Sequence, residues 1–490
     1  MAHRVTLARL IAYDTFVRVM GFRVDARSDK LQKSINQDAK LHFERPEDLL
    51  DAAYATGGAG ESLKRIDRNL VKEILYGGLR WYSKIYWILQ NTSSRNLDQT
   101  SPEVRAALIL GTYQIFYMDR VPERAAVNES VEYVRAKGQA NAVPFVNGIL
   151  RQIARRAEYF AKPDKTRQPI DYLAVQYAFP RWMVERWIRQ FRADKLETML
   201  AAMNQPPPYT IRINSLKTPV NESHLFQQEL LRLERNHSDR CNLRGAIRCK
   251  DAPDTGAESL FAAGWYTIQD EASQLIAHLV DPKPGDVVID AACGPGGKFS
   301  HLFELSDGKA RMIGVEKSES QLLRARQTME RLGHPVREDA RIEWHHADFL
   351  EWKSPVKADK ILLDAPCSGL GVIKRHPEGK WQKDANLVKA MSVLQRKMIE
   401  HGLRQLKKDG EMVFSVCSFE PEETIEHMDW IRKEFGATVE VLSPVVRLPD
   451  YFKRYVTRDN LLLIYGGNQD ETDGFGSFIL KVRAELPELQ

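Results

Sequence analysis

Along residues 1–160 the apolar positions recur at helical spacing and almost never alternate. Val104, Leu108, Gly111, Ile115 and Met118 step by three or four, as do Val127, Val131 and Val134, and then Val146, Leu150 and Ile153. Such steps lay an apolar stripe along one side of a helix. Residues 64–90 read as one long helical stretch with a break expected at Gly77–Gly78. Residues 26–46 are polar and read as loop, and GGAG at 57–60 reads as a mobile connection. The polar, proline-containing run 162–169 closes this part, so an all-α domain is expected over residues 1–165.

Residues 166–265 mix both periods and predict a small α/β module, basic overall. PRWMVERWIRQF (180–191) reads as a helix with Pro180 at its first position. QPPPY (205–209) breaks the chain, YTIRIN (209–214) alternates like a strand, and HLFQQELLRL (224–233) reads as a helix. From about residue 266 to 490 the pattern changes again. VVID (287–290), RMIGV (311–315), IEWHH (342–346), KILLD (360–364), EMVFSV (411–416) and SFILKV (477–482) are strand-like. Helical stretches at 318–332 and 384–407 lie between them. Strand alternating with helix predicts a mainly parallel sheet covered on both faces.

Composition is that of an ordinary folded chain: 490 residues, 43% apolar and 28% charged. That excludes wholesale disorder and a disulfide-rich mini-scaffold. The net charge of +5 hides an asymmetry, because residues 1–250 carry +13 and residues 251–490 carry −8. A basic half joined to an acidic half points to a polyanion-binding part attached to something else. Five scattered cysteines, with no CxxC and no His/Cys cluster, predict a reducing cytoplasm and no metal. No apolar run is long enough for a membrane span. Arg9, Asp14 and Arg18 interrupt the N-terminal region, so an amphipathic first helix is expected rather than a secretory signal.

Four motifs carry chemistry. In VVIDAACGPGGKFS (287–300) a strand ends at Asp290 and a Gly-rich turn leads into a helix. Gly294, Gly296 and Gly297 permit close approach of a ligand to the backbone. Glu316, about 20 residues on, stands where a carboxylate accepts from ribose hydroxyls. Asp348 fits a nucleoside contact, or equally a turn aspartate. In ILLDAPCSG (361–369), Asp364 and Cys367 follow a strand end, where doubly wound sheets place ligands. In GEMVFSVCSFEPEE (410–423), Cys417 follows the next strand and precedes a helix expected near Pro421.

Two thiols at adjacent strand ends beside a carboxylate suit one reaction. Carbon 5 of cytosine is too weak a nucleophile to take a methyl group unaided. A thiolate added to carbon 6 makes carbon 5 enamine-like, and a carboxylic acid at ring nitrogen 3 stabilises the adduct. A base must then remove the carbon-5 hydrogen before the thiol leaves. An ordinary thiol titrates near 8.5, so the thiolate needs help. The helix expected after Cys417 would favour ionisation, whereas Glu420, Glu422 and Glu423 would oppose it.

These residues resemble the RNA cytosine-carbon-5 methyltransferases that use S-adenosyl-L-methionine. The resemblance rests on ACGPGGK (292–298), DAPCSG (364–369), RHP followed by KW (375–381) and VCSFEPEE (416–423). DRNLVKEILYGGLRW (67–81), AALILGTYQIFYMDRVPERAAVNESVEYVR (106–135) and FVNGILRQIAR (145–155) look like a NusB-type RNA-binding fold. The order of parts, with GWYTIQDEASQLIAHLV (264–280) leading into the catalytic domain, is similar to the bacterial RsmB/Sun family. That family methylates a cytosine of small-subunit (16S) ribosomal RNA. The resemblance implies a Rossmann-like methyltransferase, a doubly wound sheet over 266–490, preceded by an all-α NusB-like domain (1–165) and the small α/β module (166–265).

The resemblance also implies roles. Cys417 would be the nucleophile, Cys367 would assist product release, Asp364 would contact the cytosine ring, and Lys298 would organise the site. Cys293, Gly294, Pro295, Gly296, Gly297, Lys298, Glu316, Asp348 and Asp364 would hold S-adenosyl-L-methionine. Arg375, His376 and Trp381 are candidates to meet RNA. Ribosomal RNA is the implied partner, with no membrane, no metal and a monomeric protein. The chain departs from the family pattern at Gly294, Phe299, Val416, Glu378 and DGFGSF (473–478). The same chemistry on transfer RNA or large-subunit rRNA, and a non-catalytic ribosome-assembly factor, remain as alternatives.

Overall fold

Ser101, Pro102 and Glu103 open a helix in the manner expected of a cap, an N-terminal proline and a first-turn acid. Ser101 Oγ accepts from the Val104 N–H at 3.3 Å. The helix that follows, Pro102–Tyr117, is buried on all sides from Val104 to Gln114 and forms the centre of the first compact unit of this computed structural model. The structure describes residues 5–21, 44–155, 162–218, 228, 238–249, 252–253, 255–256, 259–336, 341–466, 472–484 and 486. The helix expected at 224–233, apart from residue 228, and most of the loop expected at 26–46 lie outside them. Among the described residues no helix is long and apolar enough to cross a membrane.

The first unit comprises Met1–Asn204 and His376–Lys383. Its helices are α1 (Leu7–Met20), α2 (Pro46–Tyr54), α3 (Arg65–Thr92), the central α4 (Pro102–Tyr117), α5 (Glu123–Ala136), α6 (Val143–Arg155), α7 (Pro169–Gln176), α8 (Arg181–Trp187) and α9 (Ala193–Met203). α1, α3, α5 and α6 pack around α4. The break expected at Gly77–Gly78 is absent: α3 is continuous through both. A Cβ on Gly77 would stand 1.9 Å from Tyr113 Cζ, and one on Gly78 would stand 2.2 Å from Leu110 Cδ2. The two glycines let α4 approach α3. They do not end the helix. GGAG is a hydrogen-bonded turn, with the Gly58 and Gly60 N–H groups donating to Ala55 and Ala53. Pro180 caps α8 rather than beginning it.

Eight residues from far along the chain complete this unit. The short helix Gly379–Gln382 seats Lys380 at 1% exposure. Its Nζ lies within hydrogen-bond distance of Arg80 O (3.1 Å), Ala178 O (3.0 Å) and Asn204 Oδ1 (2.6 Å), and 3.8 Å from the centre of the Phe179 ring. Trp381 Nε1 donates to Leu79 O at 2.7 Å.

The second unit, Gln205–Arg375 and Asp384–Gln490, holds two sheets. A four-stranded antiparallel sheet has the order β2-β3-β1-β4, from β1 (Tyr209–Ile213), β2 (Ser238–Arg240), β3 (Ala246–Cys249) and β4 (Tyr266–Ile268). The larger sheet is built from β5 (Val287–Asp290), β6 (Arg311–Glu316), β7 (Ile342–His346), β8 (Ala358–Asp364), β9 (Leu406–Val416), β10 (Val439–Leu442), β11 (Leu462–Ile464) and β12 (Phe475–Val482). Its order is β10-β12-β9-β8-β5-β6-β7, with β11 against β12. β7, β6, β5, β8 and β9 run parallel, and β12 is antiparallel to β9.

Alternate side chains of each strand point to opposite faces. Val288, Met312, Leu362, Val413 and Ile479 pack on one face, with residues of α10 (Glu271–Val280), α11 (Gly297–Leu305) and α12 (Glu319–Leu332). Ile289, Ile313, Ile361, Met412 and Phe478 pack on the other, with residues of α13 (Ala385–Leu403) and α14 (Ile425–Phe435). The sheet is therefore doubly wound, as the alternation predicts. Strand order reverses between β5 and β8, and a ligand crevice lies outside the carboxyl ends at such a reversal.

Candidate active site

The Gly-rich turn leaves β5 at Asp290 and enters α11 at Gly297. Gly294 (φ +48) and Gly296 (φ +86) are left-handed, a conformation that costs glycine nothing. The two serve different ends. A Cβ on Gly296 would lie 2.8 Å from Ala325 Cα, so this glycine lets α12 close in. A Cβ on Gly294 or Gly297 would meet nothing nearer than 3.9 Å, which leaves open space over the turn. Glu316, at the end of β6, accepts from the Gly294 N–H at 2.9 Å and from the Ser318 N–H at 2.8 Å. Pro295 O accepts from Thr328 Oγ1 at 2.9 Å. Cys293 is buried, and burial pushes its thiol well up, so it contributes backbone and packing here. Asp348 accepts from Lys317 Nζ (2.7 Å) and from the Leu350 N–H (3.0 Å), which makes it a turn aspartate as well as a nucleoside candidate.

Arg212 on β1 holds the turn from below. It is 2% exposed and donates to Gly297 O (2.6 Å), Gln269 Oε1 (2.6 Å), Ser300 Oγ (2.9 Å) and Glu304 Oε1 (2.8 Å). Asp290 is 1% exposed, and neither carboxylate oxygen has a hydrogen-bond partner. Burial, reinforced by the charge of Asp364, pushes its carboxyl up to about 8.

β8 and β9 are parallel neighbours with Asp364 opposite Ser415, so the residues just past their ends meet. Cys367 Sγ and Cys417 Sγ are 3.0 Å apart. Asp364 Oδ2 accepts from Lys298 Nζ at 2.6 Å and Oδ1 accepts from Ser415 Oγ at 2.6 Å. Burial works against the Lys298 charge, yet Asp364, with Cys417 and Asp290 close by, holds the ammonium above its ordinary value. Cys367 is in the opposite position: contact with Cys417, burial and the Glu423 carboxylate together hold its thiol well above the ordinary range. Lys298 thus acts on Cys417, and Glu423 acts on Cys367. The helix expected near Pro421 is a three-residue 3-10 turn, Pro421–Glu423, and α14 starts only at Ile425. The helix N-terminus expected next to Cys417 is therefore absent, and Lys298 is a cation that interacts with this thiol.

The structure brings Lys298, Asp364, Cys367 and Cys417 together and places Gly294, Glu316 and Asp348 along the ends of β5, β6 and β7. The three RNA candidates each have internal partners. Arg375 is ion-paired to Asp270 (2.7 Å) and Asp473 (2.6 Å). His376 lies 3.3 Å from both Glu47 and Glu378. Trp381 packs edge-on against Tyr82. The departures from the family pattern are accommodated. Phe299 is buried against Trp344, Val416 is buried opposite Gly476, and the Phe475 ring lies 5.4 Å from Lys298 Nζ. Sequence reasoning missed Arg212, Asp290 as an orphaned acid, and Glu423 as a ligand of the Cys367 loop. A buried-type strand preceding Asp290 was the one available signal.

Three family models match: 16S rRNA methyltransferase RsmB/F over residues 277–475, the NusB family over 8–155, and the ferredoxin-like domain of RsmF/B-like methyltransferases over 179–236. The chain is 30% identical over 386 residues to the probable ribosomal RNA small subunit methyltransferase B of Synechocystis, covering 76% of this chain and 84% of that protein. It is 31% identical over 364 residues to ribosomal RNA small subunit methyltransferase B of Pseudomonas putida, covering 74% and 80%. Among solved structures, one titled PH0851 superposes with a TM-score of 0.73 at 20% identity, covering 96% of this chain and 98% of that one. A methyltransferase homolog from Pyrococcus horikoshii gives 0.52 at 26% identity over 64% and 98%. The cofactor of a methyltransferase built this way is S-adenosylmethionine. Sequence identity over four-fifths of the relatives' length, on the same order of parts, shows that the chain belongs to the ribosomal RNA small subunit methyltransferase B family.

Proposed function

We propose that this protein methylates carbon 5 of a cytosine in small-subunit ribosomal RNA, through a covalent bond between Cys417 and carbon 6. The observation that carries this reading is the 3.0 Å contact of two thiols beside the Asp364–Lys298 pair. A single buried cysteine is ordinary packing. Two in contact at the ligand end of adjacent strands, with an acid and an ammonium, match the needs of this reaction and of few others. The names of the relatives supply the RNA.

The cofactor fits the residues present. The open faces of Gly294 and Gly297 leave space, the buried carboxyl of Asp290 has no side-chain partner, and Glu316, at the end of β6, would accept from ribose hydroxyls. When bound, S-adenosylmethionine supplies a methyl carbon that carbon 5 takes up, the sulfonium becoming a neutral thioether. The protein's own groups do the rest. Cys417, its thiolate favoured by Lys298, forms the bond to carbon 6 and raises electron density at carbon 5. Asp364, fixed by Lys298 and Ser415, contacts the ring and stabilises the adduct. After transfer, the carbon-5 proton leaves to a base, its electron pair re-forms the ring double bond, and the carbon 6–sulfur bond breaks. Cys367, touching the departing sulfur, assists this release.

Bisulfite sequencing of rRNA from cells with the wild-type protein, with none, and with Cys417→Ser tests the reading. One small-subunit cytosine is protected in the first case and unprotected in the other two. Protection that survives Cys417→Ser, or that falls on transfer RNA or large-subunit rRNA, contradicts it.

A further inference from the structure

Glu423 is a buried carboxylate that the reaction above does not use. It is fully buried on the 3-10 turn six residues past Cys417. Its Oε1 accepts from the Ser368 backbone N–H (2.8 Å) and from Gln395 Nε2 (3.0 Å). Its Oε2 accepts from Ser368 Oγ at 2.5 Å. Ser368 directly follows Cys367, and Ser368 Oγ lies 3.2 Å from Ser418 Oγ, which directly follows Cys417. Gln395 also donates to Pro366 O at 2.8 Å, on the other side of Cys367. The thiol is therefore bracketed fore and aft. His427, 2.9 Å from Gln395, is kept neutral, since burial pushes it down to about 3.

Burying a carboxylate without a neutralising cation is costly, and an apolar residue of similar shape would pack the same space more cheaply. What an apolar residue cannot do is hold the Ser368 N–H and hydroxyl. We propose that Glu423 is a positioning residue for product release, clamping the loop that carries Cys367 onto the loop that carries Cys417 so that the two sulfurs stay in contact. The inference rests on the roles assigned above to the two thiols and extends them to a third residue, fully buried behind their loops. If Glu423 sets the position of Cys367, weakening the clamp resembles losing Cys367: the adduct forms but is released slowly. A residue that merely stabilised the fold would slow formation and release together.

The test compares full-length wild type, Cys367→Ser, Glu423→Gln and Ser368→Ala on small-subunit rRNA with S-adenosylmethionine. Covalent protein–RNA complex is counted on denaturing gels, and single-turnover methyl transfer and thermal midpoint are measured alongside. Glu423→Gln is expected to slow turnover roughly tenfold and to accumulate adduct, while single-turnover transfer stays within about threefold of wild type. Ser368→Ala, which keeps the backbone donor, is expected to show the same pattern to about a third of that extent. It keeps the proposal testable if Glu423→Gln does not fold. If Cys367→Ser traps adduct and neither other variant does, the clamp is overturned while the thiol roles stand. If Cys367→Ser traps nothing, the release role of Cys367 and the clamp fall together.

Discussion

A charge buried in protein persists only where partners hold it, and three residues of this chain show the range of outcomes. Lys298 keeps its proton because Asp364 faces it, and Asp290 is pushed up to about 8 because burial and the Asp364 charge outweigh the help of Lys298. His376 is a cation between Glu47 and Glu378: burial opposes the charge, but the two carboxylates outweigh it and push the imidazole up to about 10. An unfolded imidazole titrates near 6.5. The folded value is the higher one, so this stabilisation is complete below about pH 6.5 and is lost as pH rises through about 10. His376→Asn is expected to destabilise the chain by on the order of 1 kcal/mol at about pH 6, since the group is about a third open to solvent. In urea titrations the gap from wild type should close by about pH 10.5; a gap that ignores pH contradicts the triad. Of the site residues, Cys367, Cys417 and Asp364 were legible because each sits in a short strand-end motif whose chemistry is local. Glu423 was not, because its partner Ser368 is 55 positions away and meets it only when β8 and β9 align.

Elements were legible where periodicity alone decides them. The strands β5 to β9 and the helices α12 and α13 fall where the pattern places them, because the strands are short apolar runs buried on both faces and each helix buries one stripe. The errors occur where a neighbour overrides a local signal. Gly77 and Gly78 look like a break, yet α3 runs through them because Tyr113 and Leu110 of α4 occupy the space side chains would need. Gly77→Ala is the cleanest probe. Helix propensity favours alanine by about 1 kcal/mol. Against that, the new methyl would displace the Tyr113 ring, which stacks on Tyr117 and donates to Glu73 at 2.6 Å. Overpacking of this kind costs about 1–3 kcal/mol and should win. Denaturant unfolding should show a lower midpoint with an unchanged slope, and a midpoint at or above wild type would mean that the glycine is conformational rather than steric. The turn after Cys417 is a second override: Pro421 opens three residues of 3-10 turn before α14, where sequence alone indicates an α-helix start.

At the scale of the whole chain, charge and compactness divide the molecule differently. The basic excess of +13 belongs to residues 1–250, whereas the first compact unit ends at Asn204 and takes back His376–Lys383. No composition or periodicity argument could find that return, because eight residues carry too little pattern. What identifies them is Lys380 in its ring of three oxygens, a contact across about 300 positions of chain. The candidate site, in contrast, lies within the second unit, at the reversal of its large sheet. The central claim is that Cys417 carries the substrate and Cys367 lets it go. The most direct test incubates the full-length Cys367→Ser protein with small-subunit rRNA and S-adenosylmethionine, digests the trapped complex, and maps the nucleotide-bearing peptide by mass spectrometry. The account predicts a methylated cytosine bound through Cys417. An adduct on any other residue, or none at all from a protein that still methylates RNA, would contradict it.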